Sequence, residues 1–218
     1  MSDALTTLRG ILGSEAAAAL ATESTVDAAT PYDPVRFEIV FAAAGRRFGT
    51  APVGGDASIA DDRGLSWSIG SWGRDEAGRA FLLLGASARM PAPTRVAWLD
   101  GCYRAGALRE RTAVVRTLPL LPDPGRFLAI ALDACRTSTQ PLFEAIACEN
   151  PYPAAHFPDP SFAQLAMKAV FTGVALARIL GLVSRRTPEL ARMAHDYAAE
   201  RRAAGRAVAP DLALLTTP

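Results

Sequence analysis

Lysine is almost missing from this chain: Lys168 is the only one, against 22 arginines. Proteins that hold nucleic acid through charge carry a basic excess on one face. Here the formal net charge is only +1 and the basic residues are dispersed, so no nucleic-acid partner is expected. Arginine pairs such as Arg46–Arg47 and Arg185–Arg186 read as ordinary solvated surface. Histidine is scarce too. With only His156 and His195, a multi-histidine metal site is excluded, and no metal is expected. Cys102, Cys135 and Cys148 form no CxxC pair and lack zinc-site spacing. An odd cysteine count without a disulfide framework fits a reducing, cytoplasmic setting. Long apolar runs are absent. The stretch AVFTGVALA at residues 169–177 is too short to span a bilayer, and the N-terminus has an early acid where a secretion signal needs basic residues. GxGxxG, GK[ST], HExxH and GxSxG are all missing, so no cofactor is expected.

What is present is helical patterning. The chain has 218 residues, half of them hydrophobic, enough for one large domain or two small ones. Residues 4–21 place Leu5, Leu8, Leu12 and Ala16 on one side. Asp33-Pro34 opens a second helix, since Asp caps well and Pro suits the first helical position; Phe37, Val40, Phe41 and Ala44 form its apolar face. Residues 50–71 are rich in Gly, Asp and Ser and read as a loop or weakly ordered insertion, with Trp67 and Trp72 pinning its far end. Helices follow at residues 74–85, 94–104 and 108–117, after Asp123-Pro124, at 140–146, at 160–180 closed by Gly181, and from Thr187-Pro188 to near Gly205. Strand signals are weak. The expected fold is all-α, an irregular array of antiparallel helices or of solenoid-like helical pairs. The expected organisation is N-terminal helices 1–49, the insertion 50–71 and a main helical domain 72–218, or one domain that includes 1–49.

The chemically richest stretch is residues 148–162, CENPYPAAHFPDPSF. Asn150, Tyr152, Phe157 and Asp159 each precede a proline, which disfavours helix and predicts a stiff, extended connector. Such a loop can hold an amide, a phenol and an imidazole in fixed directions. On a helix over 160–180, Gln164, Lys168, Phe171, Ala175 and Arg178 share one stripe, a polar pocket wall or a solvated face. In a closed cleft, Glu144 and Glu149 are plausible partners for Lys168 and Arg136. Candidate ligand-binding residues are therefore Arg136, Glu144, Asn150, Tyr152, His156, Phe157, Gln164, Lys168 and Phe171. Were the protein an enzyme, Glu144, Glu149, Tyr152, His156 and Lys168 would carry acid–base chemistry. In the last helix, Arg192 and Asp196 are spaced for an ion pair.

The motifs FEAIACENPYPAAHF, MKAVFTG and PELARM…DY…ER…AGR resemble the EboA domain family over residues 118–212. The family pattern marks Glu144, Asn150, Pro151, Tyr152, Pro153, Phe157, Gln164, Lys168, Arg178, Asp196, Tyr197 and Arg201 as signature positions. The resemblance implies a bacterial accessory protein encoded with metabolite-processing and export genes, associated with moving secondary-metabolite precursors such as the scytonemin monomer. It transfers no catalytic residue. Three functions compete: binding or handover of a hydrophobic, aromatic biosynthetic intermediate; cofactor-independent cyclisation, isomerisation or dehydration of it; and a helical adaptor for other proteins of the pathway.

Overall fold

The structure is a computed structural model that describes residues 3–216. It is predominantly helical: α1 (Asp3–Leu12), α2 (Ser14–Glu23), α3 (Pro34–Phe48), a hairpin of β1 (Ser58–Ala60) and β2 (Ser66–Ser68), α4 (Arg74–Ser87), α5 (Ala92–Ala105), α6 (Leu108–Thr117), α7 (Leu128–Arg136), α8 (Gln140–Ala147), α9 (Tyr152–His156), α10 (Asp159–Thr172), α11 (Pro188–Ala203) and α12 (Ala213–Thr216). Short 3-10 turns supply several links. The described residues form two compact units, one up to Ile130 and one from Ala131 onward.

The first unit is organised around α4. Ala77, Ala80, Leu82, Leu83 and Ala86 are fully buried, and α1, α3 and α6 pack around the helix. Burial on every side explains its weak amphipathic pattern. Its first turn nonetheless carries charge. Asp75 accepts from Arg79 Nη1 at 2.5 Å and from Arg109 Nε at 2.8 Å, and Arg109 Nη2 reaches its other oxygen. Glu76 accepts from the Gly73 backbone at 2.6 Å and from Arg116 at 2.9 Å. Burial alone would raise the Asp75 pKa, but the hydrogen bonds and charges of Arg109 and then Arg79 outweigh it and hold it below the usual value.

Two helices are shorter than the apolar patterning predicts. The expected helix over 4–21 breaks into α1 and α2 at Gly13, whose φ of 87° leaves the helical region. The expected helix over 160–180 stops at Thr172, because Gly173 turns left-handed with φ 74° and its N–H closes on the Ala169 and Val170 carbonyls. Asp33 caps α3 as expected, accepting from Val35 N at 2.9 Å and Arg36 N at 3.3 Å. Thr187 caps α11, accepting from Leu190 N at 3.1 Å.

Within residues 50–71 the chain forms the β1–β2 hairpin, with Ile59 opposite Trp67. Those two side chains are buried while the flanking serines are exposed. Asp61 sets the turn by accepting from the Arg63 and Leu65 amides at 3.0 and 2.9 Å. Trp72, 2% exposed, anchors the end of the segment.

The second unit closes through two arginines on the irregular segment that follows α10. Arg185, which the sequence places on solvated surface, is instead a clamp. It donates to Pro153 O at 3.3 Å, to Ala154 O, to Phe157 O at 2.6 Å and to Asp159 at 2.9 Å, and it stacks over Phe162. Arg178 is the other, described next.

Candidate functional site

The proline-rich segment folds back on itself. Despite the prolines, residues 152–156 form a single helical turn, α9, because Pro153 occupies a first-turn position where no amide is needed. Asn150, the only asparagine in the chain, is buried. Its amide donates to Ala145 O at 2.9 Å, and its oxygen accepts from Tyr152 N at 3.0 Å. It therefore caps α8 and α9 at once. Tyr152 has no exposed surface, and its pKa is raised by burial. His156 and Phe157 pack on its ring at centroid distances of 4.6 and 6.4 Å.

The charged candidates are drawn to Arg178. Its Nη1 donates to Glu144 at 2.8 Å, and Nε and Nη2 fork onto Glu149 at 2.8 and 3.0 Å. The bonds from Glu149, opposed by burial and joined by Glu144, raise the Arg178 pKa. Glu144 and Glu149 thus come together, but on Arg178 rather than on Lys168 and Arg136. The reason is the helix stop at Gly173, which takes Arg178 off the stripe it was expected to share with Gln164 and Lys168 and turns it toward α8. Lys168 points elsewhere: its ammonium donates to Cys135 O at 2.6 Å and to Thr137 O, above the Phe143 ring at 4.4 Å. It caps the C-terminal end of α7, and burial lowers its pKa. Arg136 is exposed, and Phe171, 64% exposed, meets Tyr197 in an edge-to-face contact at 5.1 Å. Gln164 lines a distinct hollow, a groove of about 360 Å³ with Pro160, Thr187, Glu189 and Met193.

An aromatic hollow lies in the first unit. A groove of about 410 Å³ opens beside Phe37, Phe41 and Trp98, with Glu38, Cys102 and Glu110 also on its wall. Phe37 stacks on Phe41 at 5.4 Å and takes Trp98 edge-on at 5.2 Å. The hollow has a simple cause. On α5, Gly101, Cys102 and Ala105 follow Trp98 by three, four and seven residues, so one bulky ring is succeeded by small side chains on the same face. Opposite them Ala42 is also small.

Polar groups surround this apolar surface. The Cys102 thiol is pushed up to about 12 by burial and then by the charges of Glu38 and Glu110. Tyr32, packed against Phe37 at 6.1 Å, is likewise raised to about 12 by burial. The Trp98 side chain is near enough to oppose that shift, but among the described residues the buried Tyr32 hydroxyl has no partner within ordinary hydrogen-bond geometry. Glu110 is fixed by accepting the Ala107 N–H at 2.8 Å. Neither Glu38 nor Glu110 forms an ion pair among the described residues.

Sequence patterning does not single out this groove, because Phe37 and Phe41, four apart on a helix that opens with Asp-Pro, look like plain core. The usable signal was the tract WLDGCYRAG, a tryptophan followed by small residues at helical spacing. Among the described residues no group of three or more His, Cys, Asp or Glu could hold a metal ion, and no helix is long and apolar enough to cross a membrane.

No curated protein and no solved structure matches this chain. A family model does: that of the metabolite traffic protein EboA, over residues 23–216. The match runs through both the aromatic groove and the proline-rich segment, and with nearly the whole chain aligned this protein belongs to the EboA family.

Proposed function

We propose that the protein binds a small hydrophobic, aromatic metabolite in the groove between α3 and α5 and hands it on within its pathway. The observation that carries this reading is the groove itself, about 410 Å³ of hollow beside Phe37, Phe41 and Trp98. Its size falls within the range of small-molecule sites, which are concave, mostly apolar and marked by a few placed polar groups. The family's role in metabolite traffic supports a small-molecule cargo. The proline-rich segment is the rigid frame of the other unit: its amide, phenol and carboxylates are engaged by Ala145, by the core and by Arg178.

The reading over catalysis is favoured by the chemistry of the groove wall. A thiol held at a pKa of about 12 is protonated at neutral pH and a poor nucleophile. Intrinsic tryptophan fluorescence tests the proposal. Trp67 and Trp72 are 5% and 2% exposed, so Trp98 is the indole a groove ligand touches. Titration with 1-naphthalenemethanol or with aromatic intermediates of the pathway should quench emission saturably at one site, and the quench should vanish in Trp98→Phe. Absence of saturable binding by every aromatic probe overturns the proposal.

A further inference from the structure

We infer that the aromatic groove selects its cargo by charge, accepting a ring system that carries a protonated amine and rejecting one that carries a carboxylate. The inference rests on the groove being the binding site proposed above, and it names the chemical class of the ligand.

The charged side chains on the groove wall are Glu38 and Glu110, both acidic. Glu110 is pinned in place by the Ala107 amide at 2.8 Å, while Glu38 is exposed on α3 one residue beyond Phe37. Because neither is neutralised by an ion pair among the described residues, their field acts on whatever enters. That field already reaches the wall: both carboxylates oppose ionisation of Cys102, and Glu38 also acts on Tyr32. Arg79, a cation over Phe41 at 5.6 Å, is occupied by Asp75 and by the Phe41 and Ala42 carbonyls, and Arg111, which passes Gly106, donates to the Tyr103 hydroxyl at 2.9 Å. The aromatic rings add to the same preference. A cation near a ring face is attracted by its quadrupole, and tryptophan gives the strongest such attraction. Rings for the apolar body and unpaired carboxylates for an ammonium head are the two halves of an aromatic-amine site.

Three probes with one ring and different heads separate the possibilities: naphthalen-1-ylmethylamine, 1-naphthalenemethanol and 1-naphthoate, titrated calorimetrically into the full chain at neutral pH and low salt. The amine should bind about fivefold or more tighter than the alcohol, and the naphthoate weakest, with the amine's advantage shrinking as salt is added. Glu38→Gln, an exposed isosteric change, should cut the amine's affinity about threefold and leave the alcohol's unchanged. Glu110→Gln, which keeps the acceptor for the Ala107 amide, should act in the same direction. If amine and alcohol bind alike, or the naphthoate binds as well as the amine, the charge inference is overturned while the groove remains the binding site. An amine preference that survives both glutamine variants also overturns it. If none of the three binds, the proposed function fails first.

Discussion

The proline-rich segment and the aromatic groove hold similar inventories of rings and ionisable groups, yet they dispose of them in opposite ways. In the segment and the elements packed on it the groups are spent on the protein itself. Asn150 joins α8 to α9, Arg178 gathers Glu144 and Glu149, Arg185 caps α9, and Lys168 closes α7. In the groove, Trp98 and Glu38 border a hollow, and Glu38 forms no ion pair among the described residues. The lesson is that density of functional groups along a sequence does not locate a site. What matters is whether internal partners have already satisfied them, since a buried polar group without a partner is costly and proteins therefore use such groups internally.

The largest expected effect that tests this contrast is on stability. Tyr152→Ala empties a fully buried aromatic position and should cost about 3–5 kcal/mol in denaturant unfolding. A loss below about 1 kcal/mol would mean that the segment is not the framework described here. Next comes the buried charge at the start of α4. Asp75→Asn leaves Arg79 and Arg109 without their counter-ion and should cost about 3 kcal/mol, the low end for a broken buried pair because Arg109 is 44% exposed. The pH dependence has a definite sign. The folded pKa of Asp75 lies below its ordinary value of 3.8, so its contribution is complete above that value and lost as pH falls through the lower folded one. The stability gap between wild type and Asp75→Asn should therefore be flat near neutrality and narrow below pH 3.8. A gap that instead narrows on the alkaline side would refute the assignment. Smaller still is Lys168→Met, which strips the Cys135 and Thr137 carbonyls of their donor and should cost about 1 kcal/mol. It should leave aromatic-probe affinity unchanged, and altered affinity would move the site toward α10.

How much of this could be read from residues alone follows from the range of each interaction. The caps at Asp33 and Thr187 were legible because donor and acceptor lie two or three residues apart. The Arg192–Asp196 pair, at 2.9 Å, is local in the same sense. The stops at Gly13 and Gly173 were hidden because apolar residues continue past both glycines, and only the backbone angle separates a tolerated helical glycine from a terminator. The hairpin escaped because its strands, Ser-Ile-Ala and Ser-Trp-Ser, are only three residues long, too short to show a sustained alternation. The partners of Arg178 and Arg185 lie about thirty residues away, beyond any spacing rule. The groove was hardest to see, since a hollow is made by what Gly101 and Ala105 do not fill.

The most direct measurement is a calorimetric titration of 1-naphthalenemethanol into wild type, Trp98→Ala and Lys168→Ala, each verified as folded by circular dichroism. The account predicts one-site binding by wild type and by Lys168→Ala with matching affinity, and a loss of about tenfold or more in Trp98→Ala. Binding that survives in Trp98→Ala and disappears in Lys168→Ala would contradict it and move the site into the second unit, beside α10.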